Sequence, residues 1–256
     1  MEKLISIDLF ADLGMLKKPD TNDPVYLTFN ILHKPALLGI VGAIIGEQGF
    51  KENKRLPDYY LKLKDLKVSI QPLDPYHEKG NYKKTVIVYN NTTGMASMEE
   101  GGNLMIKEQT LISPAYRCYF LLDLQNPLHE KIDSYLKNYR AEYLPYLGKN
   151  EFSVWWMNYN SYSFEEYEPN DNFKINSIFI KDEPVSPNRS IQPFIPNMTV
   201  SGNTFLYFES LPYAYDEKLF QYEYRNFAFT DWLLKKNYST SFVLLKISTN
   251  EIIQVF

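Results

Sequence analysis

Cysteine and histidine are scarce in this sequence of 256 residues, which contains one cysteine and three histidines. Cys118 has no second cysteine with which to form an internal disulfide bond, and the four residues together are too few for a Cys/His zinc cluster. We therefore expect no structural metal, no metal-binding residues and no cofactor.

Long hydrophobic runs are also missing. The longest run, Ala36–Ile45, is interrupted by two glycines and is much shorter than the roughly 18 to 20 residues that span a bilayer. The opening residues, MEKLISIDLF, have an acid at the second position and lack a small-residue cleavage site, so they predict a first strand and not a secretory signal. Together with the absence of disulfides, these features predict a cytoplasmic protein without a membrane partner.

Several catalytic signatures are absent. The sequence contains no GxGxxG, no GK[ST] phosphate loop, no HExxH, no GxSxG and no CxxC, which leaves dinucleotide, nucleoside triphosphate, zinc-protease and α/β-hydrolase chemistry without a local motif. The acidic pairs Glu99–Glu100 and Glu165–Glu166 lie in polar loops without the hydrophobic flanks that raise a carboxyl pKa. We interpret both pairs as solvated surface.

The net charge of −4 is unevenly distributed along the chain. Residues 1–150 contain 19 basic and 18 acidic residues, a net charge of +1, whereas residues 151–256 contain 8 and 13, a net charge of −5. The total argues weakly against a nucleic-acid partner, but the division shows that an acidic C-terminal part masks a slightly basic N-terminal part. Each basic run there is typical of a solvated face when taken alone. The runs are Lys17–Lys18, Lys51–Arg55, Lys62–Lys67 and Lys79–Lys84.

Aromatic residues are abundant at 16%, with 21 tyrosines and 16 phenylalanines. Tyrosine combines an apolar ring with a polar tip and is therefore used at core edges and at interfaces. We expect many of these rings to lie at subunit interfaces and to be unusually exposed in the isolated chain.

Hydrophobic periodicity predicts an ordered series of elements in residues 1–160. Alternating and β-prone segments predict strands, and a three-to-four spacing predicts two helices. The polar, Gly-rich segment between Tyr89 and Lys107 is typical of the tip of a long hairpin. The resulting order, β-α-β-hairpin-β-α-β, is that of a ferredoxin-like (RRM-like) fold. The predicted strands are Leu4–Phe10, Val25–Phe29, Leu63–Leu73, Tyr82–Tyr89, Ala115–Leu122 and Ser153–Tyr159, and the predicted helices are Ala36–Ile45, opened by Pro35, and Pro127–Tyr143.

The pattern changes after Asn160, where prolines separate short β-prone segments. Only Asp231–Lys236 shows a helical period. The predicted fold class is therefore α+β, with a ferredoxin-like domain over 1–160 that carries an inserted hairpin, and a β-rich region over 161–256 packed on it.

His33 and Lys34 precede Pro35 at the start of the first predicted helix. Unpaired N–H groups at a helix N-terminus attract phosphate, and basic neighbours strengthen such a site. Lys17 and Lys18 in the preceding loop could add phosphate contacts. The alternative is that His33 caps the helix and Lys34 is solvated.

Two motifs resemble a known family. The block ISIDLFADLGMLKKPDTNDPVYLTFNILHKPALLGIVGAIIG is similar to the N-terminus of the CRISPR-associated Cas-five family, a branch of the repeat-associated RNA-binding (RAMP) superfamily. Its segment Ala36–Gly46 is similar to that family's helix pattern ALxGLLGAILG, and the turn Tyr146–Phe152 resembles its yLGxsEf element. The resemblance covers residues 1 to about 160 and is greatest to the type I-B branch.

This resemblance implies a non-catalytic subunit of a Cascade-type antiviral surveillance complex. Such subunits bind the 5′ handle of the CRISPR RNA, cap the filament of backbone subunits, contact the large subunit, and meet target DNA indirectly through the complex. The hairpin at about 85–112 would be the thumb that reaches over the guide RNA. The RNA-binding residues implied are Lys17, Lys18, Asn22, His33, Lys34, Lys107, Gly148 and Lys149.

Two other functions stay open. In the type I-C branch of the family the protein itself cuts repeat RNA without metal, using Tyr, Lys and His, and here Tyr76, His77 and Lys79 have those residue types. Adjacency in sequence does not place three side chains around one phosphate. The third hypothesis is a metabolic enzyme or protein-interaction module with a ferredoxin-like domain.

Overall fold

A computed structural model describes residues 2–20, 24–52, 54–91, 104–181, 205–236, 238 and 240–256. Within these residues, strands predominate over three helices, and the predicted mixed α+β class is confirmed. None of the described helices combines the length and hydrophobicity that a membrane crossing requires.

Residues 2–162 contain all the described helices and the longest-range strand pairings. In chain order the elements are β1 (Glu2–Ala11), β2 (Leu13–Gly14), β3 (Leu16–Lys17), β4 (Thr28–Phe29), α1 (Lys34–Ile45), α2 (Asp58–Leu63), β5 (Lys67–Pro72), β6 (His77–Glu78), β7 (Asn81–Tyr82), β8 (Lys84–Asn91), β9 (Leu104–Ile112), β10 (Ala115–Asp123), α3 (Pro127–Lys137) and β11 (Val154–Tyr162).

The described residues after 162 form strands and irregular segments. The strands are β12 (Phe164–Glu166), β13 (Phe179–Ile180), β14 (Leu206–Asp216), β15 (Gln221–Thr230), β16 (Val243–Ile247) and β17 (Ile252–Val255).

A four-stranded antiparallel sheet organises the N-terminal part, with the strand order β11-β1-β10-β5. Successive side chains of a strand point to opposite faces, so β1 contributes to two layers. Ile5, Ile7 and Leu9 pack in one core with apolar residues of α1 and α3. On the opposite face, Leu4 packs with apolar residues of β16 and β17.

Helix α1 is buried on nearly all sides, as expected for a helix that is apolar almost all round. It ends at Gly46, whose φ of 79° lies in the left-handed region that glycine favours. A Cβ at Gly42 would lie 2.5 Å from the Tyr59 Cβ. The close neighbour on this face is thus a tyrosine of α2.

The N-terminal and C-terminal regions share one hydrophobic core. Side chains from β13, β14 and β15, together with Phe256, pack in the same cluster as the helix-facing side of the central sheet. The Lys34 ammonium donates a hydrogen bond to the Phe256 carbonyl across 222 positions of sequence. Strand β11 also runs through the predicted boundary at residue 160.

Several predicted segments differ from the structure. The predicted strand Leu63–Leu73 begins only at Lys67, because Asp58–Leu63 form α2, and Val25–Phe29 is a strand only over Thr28–Phe29. The second helix ends at Lys137 and not at Tyr143, because Asn138 caps it and Tyr139 has a φ of 53°. Asp231–Lys236 is not helical, since Leu234 is buried and exchanges two backbone hydrogen bonds with Phe173.

Candidate nucleic-acid interface

The segment that follows the Lys17–Lys18 run pairs with strand β9 of hairpin β8–β9. Tyr26 forms a parallel bridge to Glu108, donating its amide to the Lys107 carbonyl at 2.9 Å and accepting from the Gln109 amide at 2.8 Å. The Lys17 ammonium lies 3.9 Å from the centroid of the Tyr26 ring. This pairing therefore places the basic loop beside β9.

Lys149 reaches the same hairpin from the turn before β11. Its ammonium lies 2.7 Å from the Glu108 carboxylate and 4.5 Å from the centroid of the Tyr89 ring. The Tyr89 hydroxyl donates to the other Glu108 oxygen at 2.9 Å. We call Lys17, Tyr26, Tyr89, Glu108 and Lys149 the hairpin cluster.

The electrostatics of the hairpin cluster are mixed. Glu108 is 7% exposed and compensates Lys149, so this lysine is held in place. Lys17 and Lys107 are exposed. Lys107 lies on the face of β9 opposite to Glu108, because successive side chains of a strand alternate between its two faces. Lys17 and Lys149 thus lie beside tyrosine rings, a combination suited to phosphates and bases.

Gly148 fixes the turn that delivers Lys149. Its φ is 86°, and a Cβ there would lie 1.8 Å from the Met15 carbonyl oxygen. The neighbouring Leu147 carbonyl accepts a hydrogen bond from the Met15 amide at 3.1 Å. The turn is thus packed directly on the strand segment that leads to Lys17.

His33 and Lys34 lie in the interior. His33 caps α1, because its Nδ1 accepts the Ala36 amide at 3.3 Å, and burial lowers its pKa to about 3. Lys34 is 6% exposed and its pKa is lowered by burial to about 8. The capping role that was the alternative for His33 is the geometry observed, whereas Lys34 is buried and not solvated as that alternative expected.

The buried His33 makes stability depend on pH. Because its folded pKa is depressed below the ordinary 6.5, the unfolded state binds more protons as pH falls, and stability is lost between pH 6.5 and about 3. At pH 5, which is 1.5 pH units below 6.5, the loss of stability amounts to about 2 kcal/mol. Lys34 adds nothing in this window, since its transition lies above pH 8.

The variant His33→Asn keeps a capping side chain and removes the titration. Between pH 7 and pH 5 the free energy of unfolding, measured in urea, should fall in both proteins. We expect the fall to be about 2 kcal/mol smaller in the variant than in the parent protein. Equal losses in the two proteins would contradict this assignment.

Lys18 faces a buried carboxylate of the C-terminal region. Its ammonium lies 3.7 Å from Glu209, and Glu209 also accepts the amides of Asn30 and Ile31 at 2.9 and 3.2 Å. Burial raises the pKa of Glu209. Glu209 thus holds the loop before α1, while Asn22 lies outside the described residues.

Tyr76, His77 and Lys79 have different surroundings. Tyr76 is 42% exposed and packs edge-on against Phe10. The His77 side chain is 4% exposed, lies 3.5 Å from Asp74, and has its pKa lowered by burial. Lys79 has a φ of 52° in the turn between β6 and β7. In the described residues no group of three or more His, Cys, Asp or Glu side chains is placed to hold a metal ion.

Sequence reasoning missed Tyr26, Tyr89, Glu108 and Glu209. Each gains its role from a partner that is distant in the chain, as Glu209 does from Asn30, 179 positions away. The sequence carries one local signal, the tyrosines that flank the basic loop and the hairpin, and this signal does not specify the pairing.

Solved structures of CRISPR-associated proteins align with most of the chain. A chain of a type III-B Cmr-beta complex bound to cognate target RNA and AMPPnP aligns with a TM-score of 0.50 and 10% identity, over 91% of this chain and 86% of its own. A CRISPR protein from Archaeoglobus fulgidus aligns over 100% and 98%, with a TM-score of 0.47 and 11% identity. A chain of a CRISPR RNA-guided surveillance complex aligns over 91% of both chains, with a TM-score of 0.48 and 13% identity.

No protein-family model matches the sequence, and no curated protein is significantly similar to it. At 10% identity the likeness to the Cmr-beta chain shows the fold alone. The resemblance to CRISPR-associated proteins is thus confirmed at the level of fold, and the repeat-associated RNA-binding type and the type I-B subtype stay predictions.

Proposed function

We propose that this chain is a non-catalytic subunit of a type I-B-like CRISPR surveillance complex. It binds the 5′ handle of the CRISPR RNA, caps the filament of backbone subunits beside the large subunit, and meets target DNA through the complex. The sequence motifs support this proposal together with one structural observation. That observation is the placement of Lys17 and Lys149, from two separate segments, beside tyrosine rings at hairpin β8–β9, where Lys107 is exposed on the opposite face.

The architecture supports the finer parts of the proposal. The order β1-α1-β5-hairpin-β10-α3-β11 and the sheet order β11-β1-β10-β5 support the proposal of a ferredoxin-like domain. In this proposal the domain covers residues 1–160, the β-rich region 161–256 packs on it, and hairpin β8–β9 is the thumb. Its outer surface carries the exposed apolar side chains of Val86, Val88 and Met105, which suits contact with a neighbouring subunit.

The predicted RNA-binding residues take two roles in this proposal. Lys17, Lys107 and Lys149 contact phosphates, and Gly148 forms the turn that positions Lys149. Lys18, His33 and Lys34 shape the loop before α1 from inside, where their polar atoms have protein partners.

Salt dependence tests the phosphate contacts. We expect Lys17→Gln combined with Lys107→Gln to weaken binding of an RNA transcribed from the CRISPR repeat of the same genome. Each lost phosphate contact lowers the slope of log K against log salt by about 0.7 for a single strand, so the slope should fall by about 1.4. Fluorescence anisotropy at several salt concentrations measures both quantities.

The matched control is Lys235→Gln with Lys236→Gln, two exposed lysines of the C-terminal region that produce the same change in net charge. This control should leave affinity and slope unchanged. An unchanged slope in the Lys17/Lys107 variant would remove those residues from the interface. RNA recovered from the metal-free titration should be intact, and specific cleavage that His77→Ala abolishes would overturn the non-catalytic proposal.

A further inference from the structure

A groove outside the hairpin cluster combines cations with exposed aromatic rings. It lies between the loop after α1 and the turn that joins β14 to β15, and it encloses about 270 Å³ open to solvent. The lining residues are Phe50, Lys51, Glu52, Lys54, Arg55 and Phe220. The basic run Lys51–Arg55 thus lines one groove together with Phe220, which lies about 165 positions later in the chain.

The groove carries an excess of positive charge, with three cations and one anion in its lining. Arg55 is shared between two carboxylates, at 3.6 Å from Glu52 and 3.3 Å from Asp58. Within the described part of the chain, the structure gives no ion pair to Lys51 or Lys54. These two ammonium groups are therefore available to an anionic ligand.

Phe220 occupies a backbone position that favours glycine. Its φ is 55°, and the turn is fixed by the Asp216 side chain, which accepts the amides of Lys218 and Leu219 at 2.8 Å each. Glycine is preferred at such a left-handed position because other residues are strained there. The Phe220 ring is 41% exposed and that of Phe50 is 64% exposed, so packing in the core does not explain either residue.

We propose that this groove binds single-stranded nucleic acid, with bases stacked on Phe50 and Phe220 and phosphates beside Lys51 and Lys54. Aromatic stacking combined with a cationic track recognises single strands with little sequence preference. The centre of a protein–protein interface is depleted of lysine, whereas two lysines line this groove. The site uses none of the hairpin-cluster residues, and the inference goes beyond binding of the 5′ handle.

The test uses fluorescein-labelled 12-nucleotide oligouridylate and oligothymidylate, which contain no handle sequence, with anisotropy on the full chain. We expect Phe50→Ala and Phe220→Gly each to weaken binding by about fivefold or more. Lys51→Gln combined with Lys54→Gln should lower the salt slope by about 1.4. Leu219→Ala is the matched control, because this exposed neighbour lies outside the groove lining, and its affinity should not change.

The thermal midpoint separates stacking from folding. Phe220→Gly relieves the left-handed strain, so its midpoint should equal or exceed that of the parent protein while its affinity falls. If the midpoint falls instead, the salt slope of the Lys51/Lys54 double variant decides whether the groove binds nucleic acid: a lower slope supports the proposal, and an unchanged slope contradicts it.

Unchanged oligonucleotide binding in the groove variants would overturn the inference. So would groove variants that keep oligonucleotide affinity but lose binding to another subunit of the complex, which would assign the groove to protein contact. Neither result affects the Lys17/Lys107 experiment with repeat RNA, and the two proposals therefore fail independently. Comparison of the two oligonucleotides shows whether the groove distinguishes RNA from DNA.

Discussion

Gly148→Ala is expected to destabilise the protein by about 4 kcal/mol. A left-handed backbone costs a residue with a side chain about 1 to 2 kcal/mol, and overpacking adds about 1 to 3 kcal/mol. The added Cβ would lie 1.8 Å from the Met15 carbonyl oxygen. Since this obstacle is backbone, the turn or the facing segment must move. Denaturant unfolding followed by circular dichroism measures the loss.

A second glycine provides the control for Gly148→Ala. Gly49 has no atom within 4 Å of a built Cβ and no positive φ, so Gly49→Ala should stay close to the parent protein in stability. The damaged turn also carries Lys149, and we expect repeat-RNA affinity to fall in Gly148→Ala under conditions where the variant is still folded. Equal stability of the two alanine variants would contradict the packing described for this turn.

Arg117→Met is expected to cost about 3 kcal/mol of stability at pH 7. The guanidinium donates two hydrogen bonds to the Asp8 carboxylate, at 2.7 and 2.9 Å, and the Asp8 side chain is only 4% exposed. Removing one partner of a buried pair leaves an uncompensated charge, which is strongly destabilising. Methionine keeps most of the apolar stem, so the measured loss reports on the charge and not on packing.

A double variant isolates the pair. Asp8→Asn in the Arg117→Met background removes the unpaired buried charge. Asn158, which donates a hydrogen bond to Asp8 at 2.9 Å, then lies beside a neutral amide. We expect the double variant to be more stable than Arg117→Met alone in urea unfolding at pH 7. Additive losses from the two substitutions would show that the pair is not coupled.

The sequence predicted local elements best where hydrophobic periodicity was strong. The alternation in Leu4–Phe10 and the apolar run Ala36–Ile45 correspond to β1 and α1. Periodicity failed at Asp231–Lys236, where a single long-range bridge to Phe173 overrides local preference. It also missed α2, whose six residues are too few to establish a helical period.

The candidate site was predictable in residue type and less so in placement. Basic residues and tyrosines were visible in the sequence, but the bridge between Tyr26 and Glu108 spans 82 positions, and no local rule specifies it. The burial of Lys34 could not be predicted either, because the sequence does not indicate that this lysine would contact the Phe256 carbonyl. The groove at Phe50 and Phe220 depends on the same kind of distant contact.

The position of β1 at the centre of its sheet constrains how the protein forms during synthesis. Leu4 has its two strand partners at Leu121 and Tyr162, so β1 stays unpaired on one side until residue 162 leaves the ribosome. Folds dominated by such distant pairings fold slowly and expose apolar strand edges meanwhile. During synthesis β1 therefore passes through a long interval in which one of its edges has no strand partner and is open to aggregation.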